Sequence, residues 1–268
     1  MNLNKLLACI LIALTLTMVT GCGSREEQEE TVSASELYER ARRAMRNGAY
    51  DRSIVLYRQL QSRFPFGRYA EQAQLELAYS YYKNYEPELA LSTLDRFIRT
   101  YPTHPSVDYA YYLKGLVNFN RNVGFLTRLL SVETLGRDQE FARQSFQDFS
   151  ELLQRFPDSK YAEDARKRML FLRDAMAAYE LTVAEYYLRR DAYVAAANRA
   201  QFVVENFQET SHAGNALAIM AEAYEGLELS QLSTDAERVL EMNYPRHPHL
   251  SGRNQDDESW LNKLWPFD

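Results

Sequence analysis

The stretch that decides the fold lies at residues 48–65, which run GAYDRSIVLYRQLQSRFP. Gly48 to Ser53 has the composition of a tight turn between two helices, and Phe64-Pro65 ends the second of them. The residue before a proline is pushed out of the α region, and proline cannot continue the helical hydrogen-bond ladder. The small residue Ser53 stands twelve positions before Pro65. This arrangement predicts the second helix of a helix pair.

The same frame recurs along the chain. Four later pairs of an aromatic residue followed by proline or glutamine are predicted to end helices in the same way, and we call each such pair a stop. Small residues stand twelve positions before the second residue of each stop, at Ala90, Ser145, Ala196 and Ser233. The stops themselves are Tyr101-Pro102, Phe156-Pro157, Phe207-Gln208 and Tyr244-Pro245. A second set of small residues lies in the preceding helices, at Ala41, Ala78, Gly115, Ala184 and Ala221. Because two helices approach closely only through small side chains, these five matched sets predict five helix pairs.

This pattern resembles the tetratricopeptide repeat, whose period is about 34 residues. The first and second stops are 37 residues apart, as are the fourth and fifth. A single helix pair cannot bury its apolar face alone, so the units must stack on one another. We therefore predict an all-α, tetratricopeptide-like solenoid of five helix pairs, in which the first helix of each pair lines the concave side.

The two middle spacings are longer than the repeat requires. Eighteen extra residues separate Gly115 from Ser145, and we place them at 121–138 as an inserted loop, with a short helix around 125–130. After Pro157 no Gly or Pro appears until Gly214, which predicts a helix of about 30 residues with Asp158 or Ser159 as its N-cap. The predicted division is repeats 1 and 2 at 35–102, repeat 3 with its insert at 103–157, and repeats 4 and 5 at 158–245.

The N-terminus predicts export and lipid attachment. Lys5 precedes an apolar run, Leu6 to Val19, that is too short to span a bilayer and is typical of a signal peptide. Val19-Thr20-Gly21-Cys22 resembles the bacterial lipobox, and glycine at position 23 favours the outer membrane by the same resemblance. We expect a signal peptide at 1–21, a covalent lipid on Cys22 and an acidic flexible tether at 22–34. The alternative is an ordinary signal peptide that contains a cysteine.

Composition argues against several classes of function. Cys9 lies in the segment expected to be removed, so the mature chain can form no internal disulfide. The net charge of −6 argues against a nucleic-acid partner. The four histidines, at positions 104, 212, 247 and 249, do not have the spacing of metal ligands. We predict no metal site, no cofactor other than the lipid on Cys22, and no enzyme activity.

Aromatic residues are concentrated in the first helices of the first three units. The positions expected to face the groove there are Tyr38, Leu75, Tyr79, Tyr82, Tyr109, Tyr112 and Phe119. Alanine, leucine, asparagine and glutamate occupy the matching positions of the fourth and fifth units. A concave surface lined by tyrosines suits a peptide with apolar side chains, because each ring offers a large contact area and a hydroxyl. The alternative is that individual rings pack between helices.

Several runs resemble the BamD family, also called competence lipoprotein ComL. They are Arg63-Phe64-Pro65-Phe66-Gly67, 78–84, 95–99, 102–105, 146–149 and 183–187. The resemblance extends from Cys22 to about Pro245. It implies a scaffold lipoprotein of the outer-membrane β-barrel assembly machinery, facing the periplasm and working with the barrel protein BamA and smaller lipoproteins. The runner-up function is a generic repeat lipoprotein that acts as an adaptor in the cell envelope or in cell division.

The resemblance also implies two binding regions. The N-terminal repeats, with Phe64 and Gly67 in their Phe-Pro-Phe-Gly turn, would recognise the C-terminal signal of unfolded outer-membrane proteins. The C-terminal repeats would hold the periplasmic domains of BamA, with Arg199 as a charged contact. The alternative for Arg199 is an intramolecular pair with an acid such as Glu205 or Glu185. The tail at 246–268 and the insert at 121–138 match no family pattern, and the tail either caps the last repeat or docks on a partner.

Overall fold

A computed structural model describes residues 32–126 and 132–252 of the chain, and these ranges hold eleven helices and no strand. The helices are α1 (Ala34–Arg46), α2 (Tyr50–Arg63), α3 (Arg68–Lys83), α4 (Pro87–Thr100), α5 (Val107–Leu126), α6 (Val132–Arg155), α7 (Ala162–Leu188), α8 (Tyr193–Asn206), α9 (Ala213–Gly226), α10 (Ser230–Asn243) and α11 (Pro248–Gly252). Across the described ranges, no helix combines the length and the apolar character needed to cross a membrane.

Helices α1 to α10 form five consecutive pairs, and each helix packs on the next. The second helix of every pair ends one residue before a predicted aromatic stop. These stops are Phe64, Tyr101, Phe156, Phe207 and Tyr244. The backbone N–H of each stop residue donates to the carbonyl four residues earlier, which closes the last helical turn. The predicted all-α solenoid of five helix pairs is confirmed.

The small residues lie in the interior of the helix stack. All ten are buried, and most have no exposed surface. In the third pair, the Ser145 hydroxyl donates to the Gly115 carbonyl at 2.9 Å, so the contact includes a hydrogen bond as well as packing. Burial of all ten residues agrees with the close approach predicted from residue size.

The long seventh helix is also present, with 27 residues and a length of about 40 Å. The predicted N-cap is wrong. Tyr161 precedes the helix, and the Ser159 hydroxyl instead donates to Asp108 at 2.8 Å and accepts from the Tyr161 N–H at 3.2 Å. The chain after Pro157 makes a turn against the preceding helix pair before α7 begins.

The prediction of an inserted loop at 121–138 is wrong over the described part of that segment. Helix α5 continues to Leu126 and α6 begins at Val132, so the extra residues lengthen the two helices to 20 and 24 residues. Residues 127–131 lie outside the described ranges, as do the signal peptide, Cys22, most of the tether and the tail from 253 onward.

Candidate peptide-binding groove

The first helices of the first three pairs share one cavity. It has a volume of about 510 Å³. Its lining residues are Met45, Arg46, Tyr50, Gln72, Leu75, Glu76, Tyr79, Ser106, Tyr109 and Tyr161. These residues come from both ends of the α1–α2 turn, from α3, from the start of α5 and from the turn before α7. The cavity is thus built by three repeats and the beginning of a fourth.

Aromatic rings continue from this cavity along α5 and the beginning of α7. The Tyr112 ring stacks on Tyr161 at 4.6 Å with an angle of 14° between their planes, and Tyr109 lies 5.3 Å from the same ring. Farther along, Phe119 lies 5.7 Å from Phe171 of α7. Offset and tilted ring contacts of this kind hold aromatic side chains in fixed orientations. The rings form a preorganised apolar surface, which we call the aromatic groove.

Two carboxylates next to the cavity and the aromatic groove accept hydrogen bonds from tyrosine hydroxyls. Glu76 accepts hydrogen bonds from Tyr57 and from Tyr38, the latter at 2.9 Å, and also from the Gln72 amide. Burial, together with the hydrogen bond to Glu76, raises the pKa of the Tyr57 phenol. The phenols therefore stay protonated at neutral pH and act as donors.

Asp164 plays the matching role on α7. Its carboxylate accepts from the Tyr112 hydroxyl at 2.7 Å and from Arg168 Nε at 2.5 Å. Burial and the bond to Asp164 raise the pKa of Tyr112 to about 12. Burial tends to raise the pKa of Asp164, but the hydrogen bonds from Tyr112 and Arg168 outweigh it and the pKa is lowered. The Arg168 guanidinium also lies 4.7 Å from the Phe119 ring, which ties this network to the groove.

The structure places the predicted groove residues in three different surroundings: the cavity, the aromatic groove and the core. Tyr79, Tyr109 and Leu75 line the cavity, although Leu75 is only 2% exposed. Tyr112 and Phe119 belong to the aromatic groove, and Tyr82 lies 6.2 Å from Tyr79 with its hydroxyl accepting from Asn120. Tyr38 instead packs in the core, 7% exposed and 5.4 Å from the Tyr69 ring. For Tyr38 the alternative of packing between helices is the one observed.

Phe64 and Gly67 lie outside the cavity. They occupy the turn between α2 and α3, where Phe64 is half-buried and Gly67 is exposed. Gly67 precedes α3 with φ of +94°, a conformation that favours glycine because it has no Cβ. Neither residue contributes to the cavity lining, so the geometry separates the Phe-Pro-Phe-Gly turn from the aromatic groove.

Sequence reasoning missed Tyr161, Phe171 and Glu76. A signal for Tyr161 exists, because it stands five residues after the stop Phe156, as Tyr69 stands five residues after Phe64. Phe171 is 42% exposed, and α7 was not expected to contribute aromatic residues to this surface. No spacing rule points to Glu76, whose role depends on two tyrosines from other helices.

Arg199, the predicted partner contact, forms an intramolecular ion pair. Its Nη1 donates to Glu180 Oε2 at 2.8 Å, rather than to Glu205 or Glu185. The Arg199 side chain is 46% exposed and that of Glu180 is 8% exposed. The hydrogen bond from Arg199 to Glu180 raises the pKa of the arginine. Glu180 also borders a cavity of about 270 Å³ with Phe202 and Phe207, so the pair lies beside an apolar depression.

Among the described residues, no group of three or more histidine, cysteine or acidic side chains is arranged to hold a metal ion.

Residues 30–240 match the family model YfiO, described as an outer membrane lipoprotein. The chain belongs to this family.

Relatives of the YfiO family match over nearly the whole chain. The "Outer membrane protein assembly factor BamD" of Neisseria gonorrhoeae is 42% identical, covering 98% of this chain and 100% of that protein. The protein of the same name from Xylella fastidiosa is 40% identical, covering 98% of this chain and 90% of that protein. The resemblance to BamD is confirmed. These names describe an assembly factor, in agreement with the prediction that the chain is not an enzyme.

Among solved structures, the crystal structure of MamA protein is 15% identical with a TM-score of 0.30, covering 84% of this chain and 96% of that chain. A likeness at this level supports no statement about function.

Proposed function

We propose that this chain is a non-enzymatic scaffold of outer-membrane protein assembly, anchored by a lipid on Cys22 and facing the periplasm. In this proposal the aromatic groove binds the extended C-terminal segment of an unfolded outer-membrane protein. The observation that carries the proposal is the cavity of about 510 Å³ shared by α1, α3 and α5, together with the stacked rings that extend it.

The chemistry of the groove fits an extended apolar peptide. The Tyr112 ring is held by the hydrogen bond from its hydroxyl to Asp164 and by stacking on Tyr161, so it loses little entropy when a ligand binds and more of the contact energy remains as affinity. Arg46 borders the cavity, and no acidic side chain among the described residues lies within 4.0 Å of its guanidinium. A guanidinium in this position can pair with the terminal carboxylate of a peptide. The groove would thus recognise both an aromatic last residue and the chain end.

The C-terminal repeats supply the second half of the proposal. There we propose contacts with the periplasmic domains of BamA and with the other lipoproteins of the assembly machinery. Arg199 uses one nitrogen for Glu180 and keeps 46% of its side chain exposed. Its remaining N–H groups are available to a partner carboxylate, with Glu180 holding the guanidinium in place.

The groove is tested by replacing Tyr79, which lines the cavity and is half-buried. Tyr79→Ala should weaken binding of a synthetic peptide ending in phenylalanine by at least about tenfold, since removal of a central aromatic contact typically costs about 2 kcal/mol. Fluorescence anisotropy with a labelled peptide measures the affinity, and circular dichroism reports on helicity.

The matched control is Tyr85→Ala, because Tyr85 is 93% exposed and lies in the turn after α3, away from the cavity. Equal affinity for the wild-type chain and Tyr79→Ala would mean that the groove is only structural and that the peptide binds elsewhere.

A further inference from the structure

The turn between α2 and α3 presents an exposed phenylalanine between arginines. Phe66 is 88% exposed, which leaves nearly its whole ring in water. Arg63 ends α2 and Arg68 begins α3, so a basic side chain stands on either side of it. Arg58 lies on the exposed side of α2, less than two turns before Arg63. We call Arg58, Arg63, Phe66 and Arg68 the arginine–phenylalanine end.

The N-terminal tether enters the fold at this same end. Helix α1 begins after its N-cap Ser33. The Tyr69 hydroxyl donates to Ser35 Oγ at 3.0 Å and accepts from Arg68 Nη2 at 2.9 Å, so Tyr69 connects the first turn of α1 to Arg68. Cys22 stands eleven residues before Ser33. Such a segment reaches at most about 40 Å, with a typical span of about 18 Å when flexible.

The N-terminal repeat is basic within an acidic protein. Residues 32–69 contain eight arginines, no lysine and three acidic residues, a net charge of +5, whereas the whole chain carries −6. Residues 209–243 contain seven acidic residues and one arginine. Among the described residues, no carboxylate lies within 4.0 Å of the guanidinium of Arg58, Arg63 or Arg68. Glu71, in the first turn of α3, is the acidic residue nearest in sequence to Arg63 and Arg68, and Asp51 is the nearest to Arg58.

We propose that the arginine–phenylalanine end docks on an anionic phospholipid surface, with the Phe66 ring at the level of the headgroups and the arginines against lipid phosphates. An aromatic ring beside basic side chains is the composition that binds bilayer interfaces. The proposal rests on the lipid anchor proposed above only for proximity to the bilayer, and it is independent of peptide binding. An acidic protein would also present negative charges to these arginines. We favour a bilayer because the proposed lipid anchor, at the other end of the tether, would hold this end of the fold close to the membrane.

Docking in this way would orient the solenoid. Helix α3 has 16 residues and therefore spans about 24 Å from Arg68 at the bilayer to Lys83. Tyr85, in the turn after it, would lie well above the headgroups although it is 93% exposed. The two most exposed aromatic residues of repeats 1 and 2 thus lie at opposite ends of one helix and serve as a matched pair for the test.

The test uses the mature lipidated chain reconstituted with vesicles. Ser62 is exposed one turn before Phe66, and Ser62→Cys carries an environment-sensitive fluorophore. We expect a blue shift and quenching by spin-labelled lipids on phosphatidylcholine vesicles that contain phosphatidylglycerol, and neither effect on pure phosphatidylcholine or at high salt. Arg63→Gln and Arg68→Gln should each lower the ratio of docked to undocked protein by roughly fivefold. Phe66→Ser should lower this ratio, and Tyr85→Ser should leave it unchanged.

A second label at Thr234, exposed on α10, is expected to remain in water on both kinds of vesicle. Flotation with pure phosphatidylcholine vesicles tests the anchor separately, because an unanchored chain would not float with them. A chain that floats while its label at position 62 stays in water on anionic vesicles overturns the proposal. A fluorophore at position 62 that responds only when an acidic protein of the assembly machinery is added, and not to lipid, would assign the surface to a protein partner instead.

Discussion

The small residue in the first helix of the third repeat is Gly115, whereas the other four repeats have alanine at the matching position. An added Cβ at this position would overlap the ring of Phe149, which is fully buried in the partner helix α6. Phe149 follows the small residue Ser145 by four positions, and in the fourth repeat the matching residue is Ala200. In the third repeat the Phe149 ring therefore occupies the space that a side chain at position 115 would need.

Gly115→Ala should destabilise the protein in spite of the better helix propensity of alanine. Overpacking of a dense core typically costs about 1 to 3 kcal/mol, more than the roughly 1 kcal/mol that the propensity of alanine contributes. The midpoint of urea denaturation, followed by circular dichroism, measures the change.

Combining Gly115→Ala with Phe149→Leu should recover part of this loss, because the two changes act on one contact. A single Gly115→Ala variant as stable as the wild type would show that the Phe149 ring can move aside without cost.

The Arg199–Glu180 pair changes how a charge reversal at this position is interpreted. Arg199→Glu places a second carboxylate beside Glu180, whose side chain is only 8% exposed, and should lower stability as well as partner binding. Arg199→Gln removes the charge and keeps a donor. Because glutamine can still donate a hydrogen bond to the buried Glu180, this change should lower the free energy of unfolding less than Arg199→Glu does.

We expect Arg199→Gln to weaken binding of the BamA periplasmic domains by about tenfold or more, measured by isothermal titration calorimetry. Arg190→Gln is the control, since Arg190 is exposed and stacks on Tyr186 at 4.6 Å. Unchanged binding by Arg199→Gln would restrict the residue to the intramolecular pair with Glu180.

Among the helices, α7 belongs to two cores at once. Its first half, with Ala165, Leu172 and Met176, packs with residues of α5 and α6. Its second half, from Ala177 to Leu188, packs with α8 and α9. One continuous helix therefore belongs to both cores and connects the aromatic groove to the C-terminal repeats.

Ala178→Pro should break this connection, because Ala178 stands next to the boundary between the two cores. Proline inside a helix costs about 3 kcal/mol or more, through a lost hydrogen bond and a clash with the preceding turn. Hydrogen exchange in urea should then show separate opening of residues 34–155 and 193–243. Ala178→Gly, which costs about 1 kcal/mol without breaking the helix, is the control. A single shared transition in Ala178→Pro would mean that the two cores are coupled by other contacts.

The whole solenoid ends in a small cap. Leu250 of α11 packs against the cluster of Leu217, Ala218 and Leu240, which no further repeat covers within the described ranges. His247 joins this cap to α9, with Nε2 lying 2.7 Å from Asn215 Oδ1 and Nδ1 accepting from the His249 backbone N–H at 3.2 Å. A neutral ring protonated on Nε2 satisfies both contacts. Protonation of Nδ1 would remove the acceptor.

Burial, and secondarily the proximity of His249, lowers the pKa of His247 below its ordinary value of 6.5. The unfolded chain therefore takes up a proton more readily than the folded one. The contribution of His247 to stability is complete above pH 6.5 and decreases as the pH falls through that value. Hydrogen exchange of 213–252, corrected for intrinsic rates, should show faster opening at about pH 5.5 than at about pH 7.5. His247→Gln should remove this dependence, and a dependence that persists in the variant would assign it to another group.

The sequence by itself determined the repeat architecture. Helix pairs, stops and small contact residues depend on local backbone chemistry and on side-chain size, so five correct stops could be located by counting. The concentration of tyrosines in the first three repeats was visible for the same reason, since the repeat fixes which positions face the groove.

Tertiary structure decided what these residues contact. Tyr38 became a core residue and Glu76 its hydrogen-bond partner, because both depend on how α1, α2 and α3 cross. The extra residues near 121–138 lengthened two helices rather than forming a loop. Packing between helices can stabilise a helical segment whose sequence alone does not predict a helix. Arg199 pairs with Glu180, nineteen residues away, and Ser159 bonds to Asp108, which is 51 residues away. Such contacts join residues that are distant in sequence, and their geometry exists only once the helices are packed.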